Sequence, residues 1–239
     1  MSDITLDGRL SSVAKFVRWG ARFADIGTDH AYLPVFLLCR GVIERAVCSD
    51  INSGPLDNAR ATARAAGVSD KIDFVLADGA SALSTLGITD MAICGMGGEL
   101  IARIIEDAPY IKENRVRLIL QPMTRQEYLR TYLYQNGFSV TDSDYVTEGG
   151  KHYTVIVCEY TGERPHCEIT PMIRYGGICH RSPSAQREYL LCKLNSKLRA
   201  YEGLKKGGTF DVELSSDIEY IKELLCELNA ALADKKIPE

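Results

Sequence analysis

The sequence predicts an α/β protein: a seven-stranded, mainly parallel sheet followed by a C-terminal α-helical coiled-coil hairpin. Three observations carry this. From Arg22 to Thr161, short β-rich apolar runs alternate with helical patterns, the signature of repeated βα units. The last two β runs have no helix between them, so the sheet ends in an antiparallel hairpin. Beyond Thr161 the alternation stops, and apolar residues recur at three- and four-residue steps along two long stretches.

The strands fall at Phe23–Ile26, Ala46–Asp50, Ile72–Ala77, Met91–Gly95, Leu118–Gln121, around Phe138–Tyr145, and at His152–Tyr160. Helices are predicted over Pro55–Ala66, Glu99–Asp107 and Arg125–Asn136, with Gly67 and Gly137 placed to stop two of them. Residues 1–163 make the first domain. Residues 164–239 make a connector and a helical hairpin: Pro165, Pro171, Gly176-Gly177 and Pro183 break the pattern, then Leu191, Leu194, Leu198 and Tyr201 line one helix. Ile218, Ile221, Leu225, Leu228 and Leu232 line the next, and Lys206-Gly207-Gly208-Thr209 separates the two.

With 46% hydrophobic and 25% charged residues in 239, the chain has the composition of a folded globular protein. No apolar run reaches the roughly 18 residues of a spanning helix and no signal peptide is visible, so the expectation is a cytoplasmic protein with no membrane partner. Its eight cysteines form no C-x-x-C pair, and Cys39, Cys48, Cys94 and Cys158 sit in apolar runs, as reduced core thiols do. The nearest approach to a metal set is His166-Cys167 with Cys179-His180, whose gap suits no common zinc spacing, so no metal is expected. A monomer is expected. The net charge of −4 does not advertise a polyanion binder, although the distribution of charge matters more than its sum.

The first strand runs into Asp25-Ile26-Gly27-Thr28-Asp29-His30, at the carboxyl end of a strand, where open α/β sheets bind ligands. A dinucleotide loop wants G-x-G-x-x-G for a pyrophosphate; this loop has one of those glycines and carries Asp25 and Asp29, which repel phosphate. Carboxylates suit the ammonium and sulfonium of S-adenosyl-L-methionine instead. The alternative is that Asp25 and Asp29 only cap the following helix. Asp50 ends the second strand at a spacing suited to ribose hydroxyls. Asp78-Gly79 ends the third, suited to an adenine or to a plain turn. Cys94-Gly95-Met96-Gly97-Gly98 closes the fourth, where glycines admit a flat base. Three acids at successive strand ends point jointly to an adenosine-containing cofactor.

Taken together, DIGTDHAYLP (25–34), SDINSGP (49–55), Asp78-Gly79, GMGG (95–98) and LQP (120–122) resemble the motifs of the bacterial tRNA (adenine-22 N1)-methyltransferases. The resemblance covers the whole α/β domain and extends to Arg9-Leu10 and the C-terminal hairpin. It implies a Rossmann-like class I methyltransferase sheet, S-adenosyl-L-methionine as donor, and N1 of an adenine in tRNA as acceptor. It implies cofactor contacts from Asp25, Gly27, Thr28, His30, Asp50, Ile51, Asp78, Gly79 and Gly95, with Asp29 as the candidate for stabilising charge on the product base. Arg9, Met96, Gly97, Arg187, Lys193 and Lys197 are the candidates on the RNA side. The N-P-P-Y type motif of many amino-group methyltransferases is absent, which suits a ring nitrogen.

Between Arg174 and Lys206 there are eight basic residues against Glu188 and Glu202, a local balance of +6, while the second hairpin helix is acidic. These charges either pair across the helical seam or present a basic face to RNA. A methyltransferase of other substrates, or an RNA-binding module without turnover, fits the same sequence. A nicotinamide enzyme does not fit the phosphate loop.

Overall fold

In the computed structural model, residues 4–163 and 168–233 are described. The strands are β1 (Phe23–Ile26), β2 (Ala46–Asp50), β3 (Ile72–Leu76), β4 (Asp90–Gly97), β5 (Arg117–Thr124), β6 (Phe138–Glu148) and β7 (Lys151–Tyr160). The α-helices are α1 (Gly8–Ala14), α2 (Tyr32–Cys39), α3 (Ser53–Ala66), α4 (Gly98–Glu106), α5 (Tyr110–Glu113), α6 (Gln126–Gln135), α7 (Pro171–Tyr175), α8 (Pro183–Lys206) and α9 (Val212–Ala233).

The sheet order is β3-β2-β1-β4-β5-β7-β6. Strands β1 to β5 are parallel, and β7 runs antiparallel to β5 with Ile119 opposite Val157. The order reverses between β1 and β4, so the carboxyl ends of these two strands flank a crevice. Both faces of the sheet are covered, as a parallel sheet requires. Ile119, Val155 and Val157 point into one core layer with Val13, Leu33, Val35, Ala59 and Ala63 of α1 to α3. Leu118, Leu120, Ile156 and Cys158, one residue out of phase, point into the other with Ile101, Ile105, Leu129 and Leu133 of α4 and α6.

Local chemistry sets the element ends. The Asp7 carboxylate accepts from the Leu10 N–H (2.6 Å) and caps α1, which the sequence pattern had not marked. Gly67 closes α3 in the left-handed region at φ 73°. At the amino end of central strand β4, fully buried Asp90 accepts from the Arg18 backbone (3.0 Å) and guanidinium (2.9 Å), at the strand ends remote from the crevice. Strands β4 and β5 run further than the alternation predicts, because Met96 and Gly97 continue pairing with Pro122 and Thr124 through an irregular register.

The chain divides into two compact units, Met1–Ser143 with Val155–Pro165, and Asp144–Thr154 with His166–Glu239. The second unit thus takes in part of the β6–β7 hairpin: the Tyr145 ring lies 5.3 Å from that of Tyr189, and its hydroxyl donates to the Tyr175 carbonyl (3.4 Å). Helices α8 and α9 pack through Leu190, Ile221, Leu224, Leu225 and Leu228. Inside this unit, Asp217 is buried and accepts from Arg174 Nε (2.8 Å) and the Tyr175 hydroxyl (2.9 Å), and it pairs with Lys197 (2.8 Å). Among the described residues no helix is long and apolar enough to cross a membrane, and no group of His, Cys, Asp and Glu is placed to hold a metal. His166 and Cys167 lie outside the described residues.

Candidate functional site

The site is built from the loops at the carboxyl ends of β1 to β4. The β1 loop is fastened to its neighbour by backbone bonds: the N–H groups of Gly27 (2.8 Å) and Thr28 (3.0 Å) both donate to the Ser49 carbonyl. Gly27 turns at φ 73°, and a Cβ there would lie 2.0 Å from the Met96 methyl. Glycine both permits the turn and lets Met96 reach across from β4. Neither Asp25 nor Asp29 caps the next helix; α2 begins after Ala31, itself left-handed at φ 53°, with no side-chain cap.

Ile26, Gly27, Ser49, Asp50, Ile51, Ala77, Asp78, Gly79, Met96 and the α4 residues Leu100, Arg103 and Ile104 line an open cleft with a volume of about 180 Å3. The Asp50 carboxylate accepts from the Asn52 N–H (2.7 Å), which fixes its rotamer. Gly79 turns at φ 70° with Ile104 under it, 3.4 Å from where a Cβ would stand. The α4 wall of the cleft is apolar at Leu100 and Ile104 and carries Arg103, and two carboxylates stand at the rim. That composition suits a purine and a ribose diol.

Beside the cleft, Asp25 is buried at 8% exposure, and its Oδ2 accepts from the Thr28 hydroxyl at 2.6 Å. Burial pushes this carboxyl up to about 6 from 3.8, against the opposing pull of the Thr28 hydrogen bond and the Arg9 charge. Its neighbours Cys48 and Cys94 are thiols raised by burial and by the Asp25 charge, so they are inert at neutral pH. Across Gly95 stands a second polar group. The Gln121 side chain is fully buried and its Oε1 accepts from both Arg9 Nη1 (2.9 Å) and the Gly95 N–H (3.1 Å). Gly95 itself turns at φ 79° with Arg9 Nη1 4.0 Å from its Cβ position.

A family model for a methyltransferase domain matches residues 6–156. A Bacillus subtilis tRNA (adenine(22)-N(1))-methyltransferase is 34% identical over 164 residues, 69% of this chain and 68% of that protein. The chain belongs to this tRNA (adenine-22 N1)-methyltransferase family. Solved structures agree along most of its length. The Streptococcus pneumoniae protein Sp1610 in complex with S-adenosyl-L-methionine superposes with a TM-score of 0.79 at 32% identity, covering 92% of this chain and all of that one. The B. subtilis m1A22 tRNA methyltransferase TrmK does so with 0.75 at 26%, covering 95% and 98%.

In this methyltransferase fold the expected cofactor residues form two adjoining groups. Gly27, Asp50, Ile51, Asp78 and Gly79 meet in the cleft, joined by Met96, which was expected on the RNA side; Asp25 and Thr28 are hydrogen-bonded to each other, while Gly95 and Arg9, the latter also expected on the RNA side, converge on Gln121. His30 and Asp29 do not line the cleft. They sit on the exposed β1–α2 loop, where His30 Nε2 lies 3.4 Å from Asp29 and its ring stacks on Tyr32 at 5.1 Å and 10°. Gly97 is the N-cap of α4, against Thr124.

Leu100 and Ile104 were not singled out from the sequence as site residues, and Gln121 entered only within the LQP motif. Gln121 had a signal: it is a polar residue ending the apolar run Leu118–Leu120, and a buried amide there must find partners. The α4 residues had none, because an amphipathic helix looks the same whichever ligand its edge borders.

The basic candidates Arg187, Lys193 and Lys197 lie in the second unit, where each has an internal role. Arg187 Nε donates to Asn229 (2.7 Å), Lys193 sits over the Tyr189 ring (5.4 Å), and Lys197 is held by Asp217. For Lys197 and Arg174 the pairing alternative describes the structure. Lys197 is thus committed to a buried carboxylate and is withdrawn as an RNA contact.

Proposed function

We propose that the chain transfers a methyl group from S-adenosyl-L-methionine to N1 of adenine-22 in tRNA. The observation that carries this is the cleft of Asp50, Asp78 and an apolar α4 wall, beside buried Asp25, in a chain 34% identical to a tRNA (adenine(22)-N(1))-methyltransferase. The residues fit the donor by charge and shape: Asp50 for the ribose hydroxyls, Asp78 and Gly79 for the adenine edge, Ile51 and Ile104 for its faces, and Asp25 for the ammonium. When bound, the donor supplies an activated methyl on a sulfonium.

The protein's part is placement. N1 of adenine is unprotonated at neutral pH and holds its lone pair in the ring plane, so no general base is required. Orienting two reactants is worth roughly 7–11 kcal/mol. Met96 and the Gly95–Gly98 segment form the floor that admits a flat base, and the exposed Asp29 carboxylate faces positive charge as the methylated base forms. N1 lies on the pairing edge, so the base must leave its stack, at a cost of a few kcal/mol. The half-exposed Tyr32 on its His30 partner, with exposed Met123 and Tyr128, gives an unstacked base aromatic and apolar surface. A tRNA substrate supports a cytoplasmic location.

The test is incorporation of label from methyl-labelled S-adenosyl-L-methionine into unmodified tRNA transcripts carrying A22 or G22. Label in the A22 transcript alone supports the reading. Equal label in both, or label only in protein or small molecules, overturns it.

A further inference from the structure

The loop from β5 to α6 carries a cation on a backbone conformation that only glycine adopts without strain. Arg125, the N-cap of α6, is left-handed at φ 57°, which a residue with a Cβ disfavours. Its backbone is fixed on three sides. Thr124 pairs with Gly97 at the end of the β4–β5 ladder. The Arg125 carbonyl accepts from the Leu129 N–H (3.1 Å) and lies against Gly98, where a Cβ would stand 2.4 Å from its oxygen. Buried Gln126 donates from Nε2 to the Met123 carbonyl (3.4 Å). The side chain is the opposite. It is 69% exposed, and its ion pair among the described residues runs from Nε to Glu99 Oε1 at a loose 3.4 Å. Glu99 is exposed too, and the next residue, Leu100, belongs to the cleft wall. Arg125 thus combines a rigid anchor with a free tip, at the rim of the cleft.

We propose that Arg125 contacts a backbone phosphate beside the target nucleotide of the RNA, exchanging Glu99 for that phosphate as the RNA docks. The inference rests on tRNA being the substrate. Glycine would take this φ without cost, so what arginine adds at the position is its side chain. A guanidinium paired only through Nε keeps both Nη groups, four N–H donors, for the fork that two phosphate oxygens match. An exposed pair such as Arg125–Glu99 contributes little free energy, so Glu99 orients the arginine in the free protein and yields to a stronger anion. Exposed Met123 and Tyr128 stand on either side of Arg125 in sequence, and stacking platforms of this kind work beside a cation that tracks the backbone.

The experiment measures tRNA affinity by fluorescence anisotropy over about 50–300 mM salt, with transcripts carrying A22 or G22, and cofactor affinity by calorimetry. Arg125→Gly should unfold at a higher urea concentration than wild type, because the left-handed strain is relieved. It should nevertheless bind tRNA about 5- to 10-fold more weakly at 0.1 M salt, the worth of one phosphate contact. In Arg125→Gly and Arg125→Gln alike, the slope of log Kd against log salt should fall by about 0.7–0.9, equally for both transcripts. Cofactor affinity should stay at the wild-type value. Glu99→Gln should bind tRNA about two- to fivefold more tightly, since the competing carboxylate is gone. An unchanged salt slope in the Arg125 variants, or a loss confined to the A22 transcript, would overturn the phosphate contact. A parallel loss of cofactor affinity would make Arg125 structural, and weaker tRNA binding by Glu99→Gln would overturn the exchange. Wild type that neither binds nor methylates tRNA would overturn the RNA reading itself, whereas intact methylation with an unchanged slope overturns this contact alone.

Discussion

If Asp25 holds the cofactor's ammonium, as proposed, cofactor binding is linked to pH. Without a ligand the Asp25 carboxyl is pushed up to about 6 by burial. For the free protein the sign is that of an acid raised on folding: the buried charge costs stability above pH 6, and the cost fades as pH falls toward 3.8. The full difference amounts to ~3 kcal/mol at 1.36 kcal/mol per pH unit. A bound ammonium reverses the preference by favouring the carboxylate, so binding expels the proton that Asp25 holds below pH 6. Affinity then follows the ionised fraction of Asp25 and should weaken about tenfold from pH 7 to pH 5. Calorimetry over pH 5 to 7 keeps the cofactor's own amine, which titrates at about 7.7–8.0, mostly protonated. Near pH 6, heats in buffers of different ionisation enthalpy should show release of about half a proton. Asp25→Asn should bind at least about 30-fold more weakly at pH 7, from loss of about 2 kcal/mol or more, with a flat pH profile. A flat profile in wild type, or an unchanged slope in Asp25→Asn, would refute the linkage.

Further outcomes follow from single contacts. Asp50→Ala should weaken cofactor binding by roughly 10- to 150-fold with little change in thermal midpoint if its carboxylate holds the ribose hydroxyls as proposed; unchanged affinity in calorimetry would remove it from the site. Gly98→Ala should cost ~1–3 kcal/mol in denaturant unfolding, because its Cβ would stand 2.4 Å from the Arg125 carbonyl oxygen, and backbone must move. Asp217→Ala leaves buried Arg174 with only the exposed Glu213 carboxylate at 3.6 Å, and should cost ~3–5 kcal/mol of local stability, seen as faster hydrogen exchange in α7 to α9. Tyr32→Ala should raise KM for tRNA about 5- to 150-fold, the worth of one stacked base, with cofactor Kd unchanged; equal loss of cofactor binding would show the loop to be structural.

The sheet was legible because its strands are short apolar runs bounded by acids and glycines, and a parallel sheet buried on both faces leaves little freedom in where those runs lie. Asp50 and Asp78-Gly79 were legible for the same reason: a strand end at the crevice is a fixed address. The extensions of β4 and β5 were not, since Gly95 and Pro122 are poor strand formers, and Met96 pairs with Pro122 only because the register skips Gly95. His30 illustrates the limit of proximity in sequence. Three residues after Gly27, it is turned by left-handed Ala31 away from the cleft lining and onto Tyr32, and no local pattern announces a left-handed alanine. Charge counting erred at Lys197 for a different reason. A basic run shows how much charge there is, whereas Asp217, 20 residues further on and on the facing helix, determines how it is used.

The central claim concerns one atom of one nucleotide. Unmodified tRNA should be incubated with the protein and S-adenosyl-L-methionine, digested to nucleosides and analysed by mass spectrometry against 1-methyladenosine and N6-methyladenosine standards, with reverse transcription of the intact product locating the lesion. The account predicts 1-methyladenosine and a transcription stop at position 22; N6-methyladenosine, or a stop elsewhere with position 22 unmodified, would contradict it.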